Sequence, residues 1–88
     1  EIMKQVLKVK EKGSLADLKK GQIAKVINIQ SDNLALRRRL LDMGITKGVV
    51  LEIKKIAPFG DPIDLYLRGY ELCVRRKDVE GIEVEVIA

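Results

Sequence analysis

The sequence predicts a small all-β fold, a barrel of about five antiparallel strands with one inserted helix. Two observations predict the strands. Short apolar segments alternate with period two in the second half of the chain, and glycines and prolines separate them. A third observation concerns the core: 47% of the 88 residues are hydrophobic but only 3% are aromatic, so Leu, Ile and Val must fill it. Because short strands in an open sheet would expose long edges, we expect the sheet to close.

The first twelve residues are predicted to be an extension that precedes a single domain at residues 13–88. The sequence of this extension is consistent with either a helix or a strand. Ile2, Val6 and Val9 have helical spacing, whereas Val6, Leu7 and Val9 also suit a short strand. We leave both alternatives open.

The first half of the domain contains a turn, a strand and the helix. Ser14 is expected to cap one helical turn that ends near Gly21, and the first clear strand follows at residues 22–29. Ser31, Asp32 and Asn33 are candidates for the helix N-cap, and Gly44 suits a left-handed C-cap. The apolar stripe predicted for this helix consists of Leu36, Leu40 and Met43, widened by Leu34 and Leu41.

The second half of the domain contains the remaining strands. Alternation predicts one strand from residue 49 to 54, and Pro58 and Pro62 break the chain after it. Apolar residues then alternate on both sides of Arg68 and Gly69, which predicts a two-residue hairpin. We expect the following pairs on the core face: Leu67 with Tyr70, Leu65 with Leu72 and Ile63 with Val74. One helical turn at residues 77–79 and a last strand at 82–86 complete the fold.

Composition limits the classes of function. Cys73 is the only cysteine and there is no histidine, so no internal disulfide forms and the commonest metal ligand is missing. A reducing cytosol is the expected compartment, and no apolar run approaches the roughly 18 residues of a membrane span. The net charge of +4 is concentrated in the first half of the chain. Positive charge of this kind attracts nucleic acid, an anionic membrane surface or an acidic protein, and charge alone does not distinguish among these partners.

Four stretches between Ser14 and Val86 together resemble FeoA-type domains of bacterial ferrous iron transport. They are S-L-A-D-L-K-K-G at 14–21, L-R-R-R-L-L-D-M-G at 36–44, A-P-F-G-D-P at 57–62 and L-R-G-Y-E-L at 67–72. The resemblance implies an SH3-like barrel in the cytoplasm. It also implies association with the cytosolic part of the FeoB-type membrane permease, which has its own G-protein domain and transmembrane path.

The resemblance implies neither an enzyme nor a cofactor, and transition-metal binding only as a family-level association. Two alternatives from other classes stay open. The first is a small basic barrel that binds RNA or another nucleic acid, although its few aromatic residues disfavour stacked bases. The second is a metal-responsive regulatory domain, since a related module ends some iron-dependent repressors. Weak homo-oligomerisation stays open, and whether the domain activates or inhibits transport is not predicted.

The partner-binding surface predicted here joins the helix arginines, the proline-braced turn and the Tyr66 face. A loop held by two prolines loses little entropy on binding. The alternative for the arginines is a solvated helix face with Arg38 or Arg39 paired to Asp42. The predicted surface consists of Arg37, Arg38, Arg39, Pro58, Phe59, Asp61, Pro62 and Tyr66.

Other polar residues are weaker candidates. Arg75, Arg76 and Lys77 are as well explained by an exposed strand end as by a binding surface. Cys73 lies opposite Asp64 in the hairpin, but two ligands do not form a metal site, and a half-buried thiol is expected. With no histidine and no base for a nucleophile, the sequence predicts no catalytic residue.

Overall fold

The computed structural model describes residues 7–88. Within them, six strands, one α-helix and two single 3₁₀ turns follow one another along the chain. The elements are β1 (Lys12–Ser14), the first 3₁₀ turn (Leu15–Asp17), β2 (Ile23–Ile29), α1 (Leu34–Asp42), β3 (Val50–Ile56), β4 (Ile63–Leu67), β5 (Tyr70–Val74), the second 3₁₀ turn (Arg76–Val79) and β6 (Ile82–Val86).

The six strands form one antiparallel sheet in the order β1-β6-β2-β3-β4-β5. The sheet curves around a single core, because Leu65 of β4, Val74 of β5 and Val84 of β6 belong to the same buried cluster. Register shifts in the β2–β6 and β3–β4 ladders help this curvature, since a bulge increases local twist. The predicted mostly-β barrel with one inserted helix is confirmed. It has six strands where about five were expected, and among residues 7–88 its edge strands β1 and β5 do not pair.

The predicted hairpin has the expected register. Leu67 lies opposite Tyr70, and Arg68 and Gly69 have φ values of 49° and 86°. Two positive φ values define a type I′ turn, whose twist matches that of the flanking strands. The alternation of apolar residues with period two is therefore sufficient to set the register between β4 and β5. A slip of one residue would turn every core side chain of these strands to the outer face.

One member of this hairpin is less buried than predicted. Tyr70 was expected in the core, but 40% of it is exposed. It stands at the open end of the barrel, where its hydroxyl donates a hydrogen bond to the Met43 carbonyl at the C-cap of α1. A phenol at such an end keeps its ring on the core and its hydroxyl near a polar partner.

The helix α1 begins at an asparagine cap, because the Asn33 side chain accepts a hydrogen bond from the Leu36 amide at 3.0 Å. Gly44 follows the helix with a φ of 92°, as a left-handed cap requires. Only Leu40 of the helix is fully buried, and Leu36 and Met43 are partly buried. The predicted widening of the stripe is wrong, since Leu34 and Leu41 are exposed.

The N-terminal region contributes a strand that the sequence did not predict. β1 pairs with β6 from Lys12 opposite Glu85 to Ser14 opposite Glu83. Three residues are too few for a period to be visible, and their pairing depends on a strand about 70 residues away. Residues 1–6 of the predicted extension lie outside the described residues, and the domain boundary at residue 13 stays a prediction.

Candidate docking surface

The loop between β3 and β4 presents a fully exposed aromatic ring. Phe59 is 100% exposed, and exposed Pro58 precedes it. Two backbone hydrogen bonds close the loop: the Ala57 amide donates to the Pro62 carbonyl at 3.1 Å, and the Gly60 amide donates to the Ala57 carbonyl at 2.7 Å. The ring therefore stands on a backbone that is already ordered.

A single arginine connects this loop to the rest of the domain. The Nε of Arg76 donates to the Gly60 carbonyl at 2.8 Å, and its Nη1 donates to the Ala16 carbonyl in the first 3₁₀ turn. The Arg76 backbone amide also donates to an Asp61 carboxylate oxygen at 2.8 Å. The Arg76 side chain thus links the loop at 57–62 to the 3₁₀ turn at 15–17 through hydrogen bonds.

Tyr66, predicted as part of the surface, lies on the outer face of β4. It is opposite Glu52 of β3 and Glu71 of β5, and 41% of it is exposed. The Lys54 ammonium lies 5.7 Å from the centroid of its ring, within the range of a cation–π contact. The ring is accessible, but it already has a cationic neighbour.

The three arginines of α1 do not form one patch. Arg37, Arg38 and Arg39 are all exposed, and successive helical residues point about 100° apart. Arg39 forms an ion pair with Asp78 of the second 3₁₀ turn, with an N–O distance of 3.1 Å. The alternative pairing with Asp42 is not found among residues 7–88: Arg39 pairs with Asp78 instead, and Arg38 forms no ion pair there.

Two clefts meet at the end of β5, one beside the helix and the other beside the braced loop. Arg39 lines the first cleft, and Asp61 and Pro62 line the second. Cys73, Val74 and Arg75 line both. The structure therefore brings together one helix arginine and the loop.

The sequence did not identify Arg76 as the residue that braces the loop. It lies in the run of residues 75–77, for which an exposed strand end and a binding surface were equally good explanations. Arg76 is instead half-buried and hydrogen-bonded, while Arg75 and Lys77 beside it are exposed. The role depends on two carbonyls distant in sequence, so no local pattern could have indicated it.

The hairpin face carries Cys73 opposite Asp64, as predicted. The thiol is exposed, not half-buried as expected. The hydrogen bond to Asp64 is the main cause that raises the pKa of the Cys73 thiol, and the nearby carboxylate charges act in the same direction. The thiol is therefore a weak nucleophile at neutral pH.

Two classes of site are not found in the described part of the chain. Residues 7–88 contain no group of three or more Cys, Asp or Glu side chains that could hold a metal ion. No polar side chain is buried there either.

A separate observation concerns membranes: no helix among residues 7–88 is long and apolar enough to cross a bilayer.

The fold and this surface define a small barrel domain with an exposed, braced contact loop and no buried polar centre in residues 7–88. The chain belongs to the FeoA family, since the FeoA domain model matches residues 13–86. The resemblance noted from the sequence is thereby confirmed.

Known relatives agree with this assignment. The chain is 31% identical over 74 residues to a Porphyromonas gingivalis protein described as a fusion of Fe(2+) transport protein A and the Fe(2+) transporter FeoB. The match covers 84% of the chain but only 9% of the length of that relative.

Solved structures show the same fold. A FeoA-like protein from Clostridium acetobutylicum has 39% identity and a TM-score of 0.81, with 88% of each chain covered. FeoA of Stenotrophomonas maltophilia, described as a prokaryotic SH3 domain protein, has 24% identity and a TM-score of 0.72, with 82% of this chain and 88% of that one covered. The predicted SH3-like fold is confirmed.

Proposed function

We propose that this domain is a cytosolic accessory or regulatory component of bacterial ferrous iron transport. It acts by docking to the cytosolic part of a FeoB-type permease and catalyses no reaction itself. Its membership of the FeoA family links it to ferrous iron transport. The contact with the permease and the compartment are the parts proposed here.

The observation that carries the proposal is the fusion protein of Porphyromonas gingivalis, in which a related domain and FeoB share one polypeptide. A covalent link holds two modules at millimolar effective concentration, so even a weak contact between them is formed much of the time. Where the two modules are separate chains, the surface of the small domain must supply that affinity. A docking surface is therefore required.

The surface of this domain suits that requirement. Phe59 is an aromatic side chain with no cover, and Arg76 orders the loop beneath it before any partner arrives. Aromatic and arginine side chains are the commonest anchors of protein interfaces, and preordered loops lose little entropy on binding. The proposed surface also includes Arg37, Arg38, Arg39, Pro58, Asp61, Pro62 and Tyr66.

The energy available from the ring can be bounded. Full burial of a phenylalanine side chain contributes about 1.5–3 kcal/mol, which corresponds to roughly a 10- to 150-fold change in affinity. Phe59→Ser should therefore weaken docking by at least about tenfold. Because the ring contacts nothing in the domain that it could destabilise, folding should be unchanged.

Affinity capture after mild crosslinking tests the proposal. The tagged domain is incubated with lysate of its source cells, and both bound proteins and bound RNA are identified. We expect recovery of a ferrous iron permease, and loss of that recovery in an Arg37→Glu, Arg38→Glu double variant. Arg39 is left unchanged because its pair with Asp78 joins α1 to the second 3₁₀ turn.

The matched control is a Lys25→Glu, Lys47→Glu double variant, which changes the net charge equally at exposed positions outside the proposed surface. It should still capture the permease. Recovery of RNA without any permease would overturn the proposal and favour the nucleic-acid alternative. Equal loss in both double variants would show that net charge, and not the helix arginines, drives capture.

A further inference from the structure

The edge of β5 is a further candidate binding site that the docking surface proposed above does not include. Among residues 7–88, β5 is the last strand of the sheet and pairs with β4 alone. It is five residues long and contains neither proline nor lysine, the residues that commonly protect an edge. At the opposite end of the sheet, β1 has only three residues. Of the two edges, β5 offers the longer template for another strand.

The turn geometry shows which backbone groups are free. In a type I′ hairpin the residues that flank the loop, Leu67 and Tyr70, form a hydrogen-bonded pair. Such pairs alternate along an antiparallel ladder, so the N–H and C=O groups of Glu71 and Cys73 point away from β4. Among residues 7–88, neither residue makes a backbone hydrogen bond beyond the β4–β5 pair.

A groove adjoins the C-terminal end of this edge. It lies between α1 and the residues Cys73 and Val74 of β5, with a volume of about 510 Å³. Leu40, Met43 and Val74 give it an apolar floor. The groove separates the helix from Cys73 and Val74, so this end of the edge is open to another chain.

The charges that border the groove are mainly positive. Arg39, Arg75 and Lys77 line it, and Asp78 is the only acidic residue that does so. Asp78 is paired with Arg39. Arg75 and Lys77 form no ion pair within the described part of the chain. The groove therefore carries an excess of positive charge beside unpaired amides and carbonyls.

We propose that this groove binds an acidic peptide segment in extended conformation, which adds to β5 as a further strand. Main-chain hydrogen bonds to Glu71 and Cys73 would hold about four or five residues. Acidic side chains of the segment would meet Arg75 and Lys77, and an apolar one would cover Met43. The inference deepens the docking function proposed above and rests on it only for the identity of the protein that carries the segment.

A peptide suits this edge better than a nucleic acid does. The alternating donors and acceptors of a strand edge match a peptide backbone, whereas a phosphate backbone has acceptors alone. No aromatic residue lines the groove on which a base could stack.

The probe is a blocked seven-residue peptide of alternating Glu and Val, titrated into the ¹⁵N-labelled domain and followed by NMR. The control peptide has Lys in place of Glu. We expect shifts at β5 and α1 with the acidic peptide and not with the basic one. At a peptide concentration about ten times the dissociation constant, hydrogen exchange of the Glu71 and Cys73 amides should slow about tenfold. The Leu72 amide, already bonded to β4, should change little.

An Arg75→Glu, Lys77→Glu double variant tests the charge requirement. It should bind the acidic peptide about tenfold more weakly, whereas Lys25→Glu, Lys47→Glu should bind it nearly as well as the wild type. Thermal melting of both variants verifies that they fold.

Three results would overturn the inference. They are no shift at β5 with millimolar acidic peptide, equal binding of the basic peptide, or displacement of the acidic peptide from the groove by a short single-stranded RNA at lower concentration. Capture of the permease uses no synthetic peptide. Failure of the peptide alone would therefore reject the strand-addition mode, whereas failure of capture would reject the proposed partner.

Discussion

Replacing Arg76 with methionine should destabilise the domain by about 2 kcal/mol, although the residue lies at the surface. Methionine keeps an unbranched side chain but removes the guanidinium, so the carbonyls of Gly60 and Ala16 lose their donor. Ala16 is buried, and a buried acceptor without a partner costs about 1–3 kcal/mol. The Gly60 carbonyl lies in the exposed loop and can bond to water instead.

For a domain of this size, 1 kcal/mol corresponds to about 4–8 °C in melting temperature. Arg76→Met should therefore melt about 8–16 °C below the wild type in circular dichroism. Hydrogen exchange gives a local readout. The Gly60 amide, bonded to the Ala57 carbonyl at 2.7 Å, should exchange faster in the variant because the loop is no longer fixed.

The matched control is Arg75→Met, the same chemical change one residue earlier. The Arg75 side chain is exposed and makes no hydrogen bond or ion pair within residues 7–88. Its substitution should change stability by less than about 0.5 kcal/mol. Equal melting temperatures for the two variants, or a larger loss in Arg75→Met, would refute the assignment of Arg76 as the brace.

Three further predictions concern single contacts. Gly81→Ala should lower the free energy of unfolding by about 3 kcal/mol, because the new Cβ would overlap the backbone carbonyl of Gln30. A variant as stable as the wild type in urea denaturation would contradict this. Tyr70→Phe removes the hydrogen bond to the C-cap of α1 and should cost about 1 kcal/mol by thermal melting, whereas an unchanged melting temperature would show that water replaces it. Asp64→Asn replaces the carboxylate that accepts the thiol hydrogen bond and repels the thiolate, so it should lower the pKa of the Cys73 thiol. Iodoacetamide should then alkylate Cys73 faster at pH 7.5, and an unchanged rate would contradict the role of Asp64.

Local patterns were sufficient for the elements whose pairing is local. The β4–β5 register follows from two alternating runs on either side of Arg68 and Gly69, since only one register buries all the apolar residues. The helix α1 follows from its caps and from the spacing of Leu36, Leu40 and Met43. In both cases the residues that decide the structure are fewer than twelve positions apart.

Features that depend on distant contacts were not predictable. The exposure of Leu34 and Leu41 shows that the sheet contacts only a narrow stripe of α1, and the width of that contact is set by how the helix sits on the barrel. Arg39 pairs with Asp78, 39 positions away, in preference to Asp42 three positions away. Arg76 likewise donates hydrogen bonds to the carbonyls of two distant residues: Gly60, which is 16 positions away, and Ala16, which is 60 positions away.

The predicted docking residues illustrate the same limit. Composition and turn chemistry identified the 57–62 loop, and the structure adds that Phe59 has no cover and that Arg76 holds its backbone. Which residues share one groove could not be read from the sequence, because α1 and β5 are adjacent only in the folded chain.

We expect the 57–62 loop to contact a ferrous iron permease, and photocrosslinking from the tip of that loop detects such a contact. Phe59 is replaced by p-benzoylphenylalanine, and the same photoreactive residue replaces Lys25 in a control, since Lys25 is exposed on β2 and outside the proposed surface. Each variant is irradiated in its source cells, and the crosslinked products are identified by mass spectrometry.

A crosslink is expected between position 59 and the cytosolic part of the permease, with none from position 25. Equal crosslinking from both positions, or crosslinks from position 59 to RNA or to unrelated proteins alone, would show that the loop does not dock to the permease.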